Sequence, residues 1–219
     1  MAEDISVDAV KIGMLGTVAA IAAVERALDL VGSAPVVVDP VMVAESGASL
    51  LDDEAVAALR DRLLPRADVV TPNVIEAAVL AGADDGAAAG APSDASAAIE
   101  ALARAVRALG PRAVVITGGH AREAVDVFYA GDEVTLIRGE RHRLGASHGS
   151  GCTHSAALAA HLALGHSPLE AARRAKAIAS EAVRDGLRGV GAGAGPVNAL
   201  GLGVSSSVAP QVDRLGSLT

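Results

Sequence analysis

The chain of 219 residues carries a formal net charge of -8, and 51% of its residues are hydrophobic although it has one Phe, one Tyr and no Trp. This composition predicts a single domain with an aliphatic, alanine-rich core over residues 1–203, followed by a flexible tail at residues 204–219. The acidic balance argues against nucleic-acid binding, the lone cysteine excludes an intrachain disulfide and fits the cytoplasm, and no apolar run reaches the roughly 18 residues of a membrane span.

The first predicted elements are two buried strands separated by a helix. Residues 9–16 form a short strand that ends in a glycine turn, and Thr17 is placed to cap a helix ending near Gly32. Residues 35–40 contain consecutive valines, a pattern typical of a parallel sheet covered on both faces. Asp39 follows them, either at the carboxyl edge where α/β sheets bind ligands or simply as the start of an Asp-Pro turn.

A loop and a second helix precede the next candidate site. Residues 41–51 are predicted to form a mobile loop, Asp52 caps a helix to about residue 64, and residues 67–71 form a strand. Asn73 and Glu76 follow with the spacing of a capping box, in which each side chain binds the other residue's N–H group. Capping is the favoured interpretation; the alternative is that both side chains handle a magnesium-bound phosphate at the sheet edge.

The second half of the chain continues the alternation of helices and strands. Its elements are a surface loop at 84–96, a helix from Ser93 or Ser96 to Leu109, a strand at 113–117, and a hairpin that pairs 124–129 with 133–138. A last helix starts with a capping box at Ser167 and is expected to bury Ala171, Ala175, Ile178, Ala182 and Val183. We therefore expect an α/β fold with a doubly wound, mostly parallel sheet and an antiparallel hairpin at its edge.

The residues Gly149-Ser150-Gly151-Cys152 join a tight glycine turn directly to a helix of small residues. The first N–H groups of a helix have no intrahelical acceptor and lie at the positive end of the helix dipole, so they favour an anion, most often a phosphate. Cys152 is the only cysteine, and its place at the helix start favours the reactive thiolate. The competing interpretation is a plain turn followed by a small buried cysteine.

Many of these stretches occur together, in the same order, in one enzyme family. They are Asp8-Ala9-Val10-Lys11-Ile12-Gly13-Met14-Leu15, Val38-Asp39-Pro40-Val41-Met42, Ser46-Gly47, Leu63-Leu64-Pro65, Thr71-Pro72-Asn73 with Glu76-Ala77, Gly118-Gly119-His120, His148-Gly149-Ser150-Gly151-Cys152-Thr153 with Ser155-Ala156-Ala157, and Gly195-Pro196-Val197-Asn198. Together they resemble the hydroxymethylpyrimidine/phosphomethylpyrimidine kinases of thiamine biosynthesis, which belong to the ribokinase-like superfamily. The resemblance spans nearly the whole chain and implies a ribokinase-like, three-layer fold.

The resemblance also implies an activity, the ATP-dependent phosphorylation of 4-amino-5-hydroxymethyl-2-methylpyrimidine and then of its monophosphate. The implied site is an anion hole and catalytic base at Gly149, Ser150, Gly151 and Cys152, magnesium ligands at Asp39 and Glu76, ATP contacts at Asn73, Thr117 and Gly118, and pyrimidine contacts at Met14 and Val41. The implied cofactors are ATP and Mg²⁺, and a homodimer is left open. Preorganised N–H groups suit phosphoryl transfer, which needs positioning and charge stabilisation more than covalent help.

Two departures from the family pattern leave other functions open. Thr117 stands where family members often have a lysine, and the residues before Asp8 offer no counterpart of the family's first strand, glycine-rich substrate turn and pyrimidine-binding glutamine. A truncated, non-catalytic nucleotide-binding protein is therefore one alternative. A vitamin B6 kinase similar to pyridoxal kinase is another, because some related proteins of that activity carry a cysteine at the position of Cys152.

Overall fold

The described part of the chain forms one mixed β-sheet with helices on both faces. The structure, a computed structural model, describes residues 4–42, 50–83, 95–118, 124–142, 145–188, 190 and 193–202. The predicted loops at 41–51 and 84–96 lie mostly outside these residues, and the predicted tail at 204–219 lies wholly outside them.

The strand order along the chain is also the order of the strands in the described six-stranded sheet. The strands are β1 (Val10–Ile12), β2 (Val36–Val38), β3 (Val69–Val70), β4 (Ala113–Ile116), β5 (Ala124–Ala130) and β6 (Glu133–Gly139). Strands β1 to β4 run parallel, whereas β5 is antiparallel to β4 and β6 is antiparallel to β5. The predicted mostly parallel sheet with an antiparallel edge hairpin is confirmed.

Four of the described α-helices begin at the caps that the sequence predicts, which are Thr17, Asp52, Asn73 and Ser167. The α-helices are α1 (Val18–Leu28), α2 (Asp53–Ala58), α3 (Val74–Ala81), α4 (Ala95–Arg107), α5 (Ser150–Ala163) and α6 (Pro168–Arg184). The helix predicted to run to about residue 64 continues past α2 as a π-helix over Leu59–Leu63 and a 3-10 helix over Leu64–Arg66. The Thr17 hydroxyl accepts the N–H of Ala20 at 3.2 Å, and the Asp52 carboxylate accepts the N–H of Ala55 at 2.8 Å. None of the described helices is both long and apolar enough to cross a membrane.

The topology decides which helices cover which face of the sheet. Each of the parallel strands β1 to β4 lies next to the preceding one, and always on the same side of it. Right-handed crossovers between them therefore place α1, α2, α3 and α4 on the same face of the sheet. The opposite face is covered by α5 and α6, which follow the hairpin. Neighbouring side chains of β2 point to opposite faces of the sheet, so Val38 packs in the α1–α4 core and Val37 in the α5–α6 core. The predicted three-layer architecture is confirmed.

The single phenylalanine and the single tyrosine are adjacent in β5 and face opposite layers. Phe128 packs in the α5–α6 core and Tyr129 in the α1–α4 core, and each is 5% exposed. The guanidinium carbon of Arg104 lies 5.0 Å from the centroid of the Tyr129 ring, and its Nη1 donates to the Tyr129 hydroxyl at 3.1 Å. The rest of the buried core is aliphatic, as the composition predicts.

Helix α6 packs against α5, and all of its buried residues are alanines. The buried residues of α6 are Ala171, Ala172, Ala175, Ala179 and Ala182. The predicted burial of Ile178 is wrong, because its position falls to one side of this alanine stripe and its side chain is 37% exposed. Val183, which was also expected to be buried, is only half-buried. Small side chains let the two helix backbones approach closely, a contact that hydrophobic spacing alone does not reveal.

Candidate active site

The predicted site residues gather at one edge of the sheet, where the parallel strands end. Asp39 follows β2, Asn73 follows β3 and Thr117 follows β4. Asn73 and Thr117 form a parallel bridge beyond the ends of β3 and β4, in the same register as that strand pair. The N–H of Thr117 donates to the carbonyl of Pro72 at 2.9 Å. The first two turns of α5 lie over this edge, because Ser155 of α5 is hydrogen-bonded to Asp39.

The glycine turn opens α5 with donors that lack acceptors. Gly149 is the N-cap and has φ +87°, a left-handed conformation that favours glycine, and no side chain caps the helix. The N–H of Ser150 donates to the carbonyl of Ser147 at 3.1 Å, and that of Thr153 donates to Gly149 at 2.9 Å. Among the described residues, the N–H groups of Gly151 and Cys152 have no hydrogen-bond acceptor. An anion placed there would satisfy both groups at the positive helix end.

The glycine turn before α5 is hydrogen-bonded to residues 195–197, which lie far along the chain. The N–H of His148 donates to the carbonyl of Gly195 at 3.1 Å, and the N–H of Val197 donates back to His148 at 3.0 Å. The N–H of Asn198 then donates to Ala182 near the end of α6 at 2.8 Å. The Gly195-Pro196-Val197-Asn198 stretch therefore fixes the glycine turn against α6 by backbone hydrogen bonds.

Cys152 is exposed at the first turn of α5. Its exposure excludes the competing interpretation, in which it is a small buried core residue. The thiol is accessible to a reactant approaching the unpaired N–H groups of the same turn.

Asp39 is a buried carboxylate that joins β1, β2 and α5. It is 5% exposed, and its Oδ2 accepts the hydroxyl of Ser155 at 2.8 Å. The ammonium group of Lys11, at the middle of β1, lies 3.2 Å from the same oxygen. Asp39 is therefore more than the start of a turn, because it binds groups from two other elements at the carboxyl edge of the sheet.

Asn73 and Glu76 form the predicted capping box at the start of α3. The Asn73 side chain accepts the N–H of Glu76 at 2.9 Å, and the Glu76 carboxylate accepts the N–H of Asn73 at 2.9 Å. The capping interpretation is confirmed. Glu76 is nevertheless 6% exposed, which is unusual for a carboxylate whose only role is to cap a surface helix.

The electrostatics of Glu76 and Asp39 fit a divalent cation. Burial raises the pKa of Glu76 from 4.5 to about 7, and the negative charge of Asp39 adds to this rise, against the lowering effect of the Asn73 and Met42 N–H groups. A divalent cation between two repelling carboxylates would relieve this cost, and Mg²⁺ binds through one or two carboxylates while keeping several waters. No group of three or more His, Cys, Asp or Glu side chains is placed to hold a metal within the described ranges.

The backbone N–H groups of Thr117 and Gly118 are both hydrogen-bonded to other residues of the protein. The N–H of Gly118 donates to the Asp126 carboxylate at 3.0 Å. A Cβ at position 118 would lie 1.8 Å from the carbonyl oxygen of Val125, so the close approach of β5 requires glycine here. The predicted ATP contacts of these two residues stay predictions. Gly119 and His120 lie outside the described residues.

The two predicted pyrimidine contacts lie after neighbouring strands at the same edge. Met14 follows β1 and is 59% exposed, whereas Val41 follows β2, is half-buried and donates its N–H to the Asp39 carbonyl at 2.9 Å. Their contact with a substrate stays a prediction.

The structure adds polar residues to which no role was assigned from the sequence. They are Lys11, Asp126, His154, Ser155 and Lys176. Lysine usage carried a signal, because only two of the 18 basic residues are lysines and both pair with a buried aspartate. The two pairs could not be predicted from the sequence, because each lysine is far along the chain from its aspartate.

The fold and the arrangement of its site define the class of protein. The chain is 36% identical to the pyridoxal kinase of Bacillus subtilis solved as an ADP complex, with a TM-score of 0.76 over 85% of this chain and 68% of that one. It is 33% identical to the pyridoxal kinase of Staphylococcus aureus solved with AMP-PCP, with a TM-score of 0.78 over 90% of this chain and 70% of that one. The protein is a phosphotransferase with the ribokinase-like fold.

Sequence relatives give the family within this class. A sequence model described as phosphomethylpyrimidine kinase matches residues 1–198. The chain is 44% identical over 198 residues to the hydroxymethylpyrimidine/phosphomethylpyrimidine kinase of Rhizobium meliloti, covering 89% of this chain and 71% of that relative. This chain belongs to the phosphomethylpyrimidine kinase family, and it spans about seven tenths of the length of that relative.

Proposed function

We propose that this protein transfers the γ-phosphoryl group of ATP to the hydroxymethyl oxygen of 4-amino-5-hydroxymethyl-2-methylpyrimidine, and then transfers a second one to the resulting monophosphate. Family membership and the similarity to nucleotide-bound kinases support this proposal. The observation that carries it is the pair of acceptor-free N–H groups at Gly151 and Cys152, next to an exposed thiol.

The first α5 turn supplies charge stabilisation for the transfer. The negative charge of the transferred phosphoryl oxygens would be met by the Gly151 and Cys152 N–H groups and by the helix dipole. These donors need no rearrangement, because the turn is fixed by the His148 contacts with residues 195–197. Gly149 and Ser150 complete the anion hole by giving the turn its shape.

Cys152 is proposed as the base for the first transfer. Its thiolate takes the proton of the hydroxymethyl group, the oxygen attacks the γ-phosphorus, and the bond from that phosphorus to the β–γ bridging oxygen breaks to release ADP. The exposed thiol then returns its proton to water. In the second transfer, the acceptor is a phosphate oxygen that already carries negative charge near neutral pH, so that step needs no base.

The nucleotide is proposed to lie at the edge formed by the ends of β3 and β4. Asn73, Thr117 and Gly118 are its proposed contacts, and Asp39 and Glu76 are the proposed residues for Mg²⁺. When bound, Mg²⁺ would neutralise phosphate charge. The Asp39 carboxylate, held by Ser155 and Lys11, keeps a fixed position beneath α5.

Product analysis of the purified chain tests the proposal. The chain is incubated with Mg-ATP and either the hydroxymethylpyrimidine, its monophosphate or pyridoxal, and the products are separated and identified by mass. We expect the pyrimidine monophosphate and diphosphate as the main products. Turnover of pyridoxal alone would support the alternative, a vitamin B6 kinase, which the pyridoxal kinase neighbours make the second candidate. No product from any acceptor would contradict the proposed activity.

Two further expectations belong to this proposal. A cytoplasmic location fits a metabolic kinase, and a homodimer is open because β1 lies at the edge of the described sheet. Sedimentation velocity of the purified chain, which separates monomer from dimer, checks the second of these.

A further inference from the structure

A second buried polar cluster lies at the same edge of the sheet, beneath α5. Asp126 of β5 is 1% exposed. Its Oδ1 accepts the ammonium of Lys176 at 2.7 Å and the N–H of Gly118 at 3.0 Å. Its Oδ2 lies 3.7 Å from Nε2 of His154. One carboxylate therefore contacts the end of β4, the second turn of α5 and the middle of α6.

Lys176 is the charge partner of Asp126. The Lys176 side chain is 13% exposed. Burial lowers the pKa of His154, and although Asp126 opposes this, the nearby Lys176 lowers it further, so the imidazole is neutral. Neither ring nitrogen of His154 has a hydrogen-bond partner in the described part of the chain. The cluster is thus an ion pair beside a neutral ring.

Stability alone does not account for such a pair. Taking two charges out of water costs about as much as their attraction returns, and an apolar pair of similar size is often equally stable. What an ion pair with directed hydrogen bonds does provide is a single geometry among the elements it joins. The hydrogen bonds here join β5 to the end of β4, which carries the proposed nucleotide contacts, and to α6, which packs against α5.

We propose that Asp126 is a positioning residue of the phosphate site. By accepting hydrogen bonds from both Gly118 and Lys176, it fixes the chain leaving β4 relative to α6. The end of α6 is in turn hydrogen-bonded to the 195–198 stretch that holds the glycine turn of α5. Thr117, which precedes Gly118, forms the bridge to Asn73. The position of the proposed nucleotide contacts therefore depends on the Asp126 carboxylate. This inference rests on the proposed function and assigns part of its geometry to a residue that touches neither substrate nor nucleotide.

Asp39 makes a comparable set of contacts after β2. It binds Ser155 of α5 and pairs with Lys11 of β1, so each of the two lysines of the chain pairs with a buried aspartate. A compact ammonium has three donors to satisfy, whereas a guanidinium has five in a rigid fork, so lysine fits these confined positions better than arginine.

The effect of replacing Asp126 is compared with that of replacing Asp68, which lies where the parallel strands begin. Asp68 accepts the N–H of Val36 at 2.8 Å and the guanidinium of Arg112 at 3.0 Å, so it too joins a backbone donor to a cation. The affinity of Asp126→Asn and Asp68→Asn for Mg-AMP-PCP is measured by calorimetry, below the melting temperature of both. We expect affinity to fall about tenfold or more for Asp126→Asn and to stay within about twofold for Asp68→Asn.

The double variant Asp126→Asn/Lys176→Met covers the case in which the single variant fails to fold. It leaves no buried charge unpaired and should melt closer to the wild type. We expect its affinity for Mg-AMP-PCP to remain about tenfold weaker, because the link between β4 and α6 is lost. Wild-type affinity in the double variant would overturn the proposal.

Amide hydrogen exchange without nucleotide separates this inference from the proposed function. Loss of Asp126 should speed exchange both at Gly118 and in the first turn of α5, whereas loss of Asp68 should change neither. Unchanged exchange in the Asp126 variants overturns the positioning role. A wild-type chain that binds no Mg-AMP-PCP contradicts the proposed function instead, and exchange alone then decides the positioning role.

Discussion

Cys152 is the residue at which proton transfer can be separated from phosphate binding. A serine hydroxyl is far too weak an acid to replace a thiolate base, but the anion hole consists of backbone N–H groups that the substitution leaves in place. We expect Cys152→Ser to lower kcat at least about a hundredfold on the hydroxymethylpyrimidine and less than about fivefold on its monophosphate. Steady-state kinetics with each acceptor measures both effects.

The affinity for Mg-ATP is the internal control for this variant, and it should barely change. Alkylation of the wild-type thiol should also inactivate the first transfer, faster as pH rises, and bound substrate should protect. Near-full kcat of Cys152→Ser on the hydroxymethylpyrimidine would remove Cys152 from the proton transfer. The first α5 turn would then keep only its anion-binding role.

Gly118 is limited by space rather than by backbone conformation. A Cβ there would lie 1.8 Å from the Val125 carbonyl oxygen, and that oxygen belongs to the backbone of β5 and cannot rotate away. We expect Gly118→Ala to lower the free energy of unfolding by about 1–3 kcal/mol, measured by urea denaturation. Gly151→Ala is the matched control, because nothing lies within 4 Å of a Cβ at position 151 and alanine suits a helix. Equal stabilities of the two variants would contradict this account.

At the scale of an element, the start of α3 couples a helix cap to a buried charge. Glu76 holds its proton more tightly in the folded protein than in the unfolded chain, since its pKa is raised from 4.5 to about 7. Its contribution to stability is therefore greatest below pH 4.5 and is lost as pH rises to about 7. Without Mg²⁺, we expect the stability of Glu76→Gln relative to the wild type to rise by on the order of 3 kcal/mol across this window.

Urea denaturation at several pH values in the presence of a chelator measures this trend. Glu170→Gln is the matched control, because Glu170 occupies the same position in the capped start of α6 but its side chain is 39% exposed. We expect no comparable trend for that variant. A stability difference between Glu76→Gln and the wild type that is independent of pH would show that burial does not hold the proton on Glu76.

The elements also show where sequence patterns stop being informative. The Asn73–Glu76 box and the Thr17 cap follow from residues three positions apart, so local sequence was sufficient to predict them. The exposure of Ile178 was not predictable in this way, because it depends on which face of α6 meets α5. The same limit applies to Glu76, whose cap was predicted but whose burial comes from the surrounding elements.

At the scale of the whole molecule, nucleotide binding should stabilise the fold. The proposed phosphate contacts come from β2, α3 and α5, so a bound nucleotide would link elements that separate on unfolding. We expect millimolar Mg-ATP to raise the melting temperature, since any ligand of the native state does so. ATP with a chelator and Mg²⁺ alone should each give a smaller rise. No rise with Mg-ATP in thermal unfolding would count against an intact nucleotide site.

The sequence by itself determined the order of strands and helices, the caps, the hairpin, the glycine turn before α5 and, by resemblance, the family. These features depend on residues that are neighbours in the chain, where spacing and side-chain type act directly. Only the tertiary structure decided that Ser155 meets Asp39 across 116 positions and that Lys176 meets Asp126 across 50. It also decided that Cys152 is exposed and that Glu76 is buried beside Asp39. Such contacts and pKa shifts arise from the packing of distant elements, because burial and nearby charge belong to the folded environment and not to a residue's neighbours in sequence.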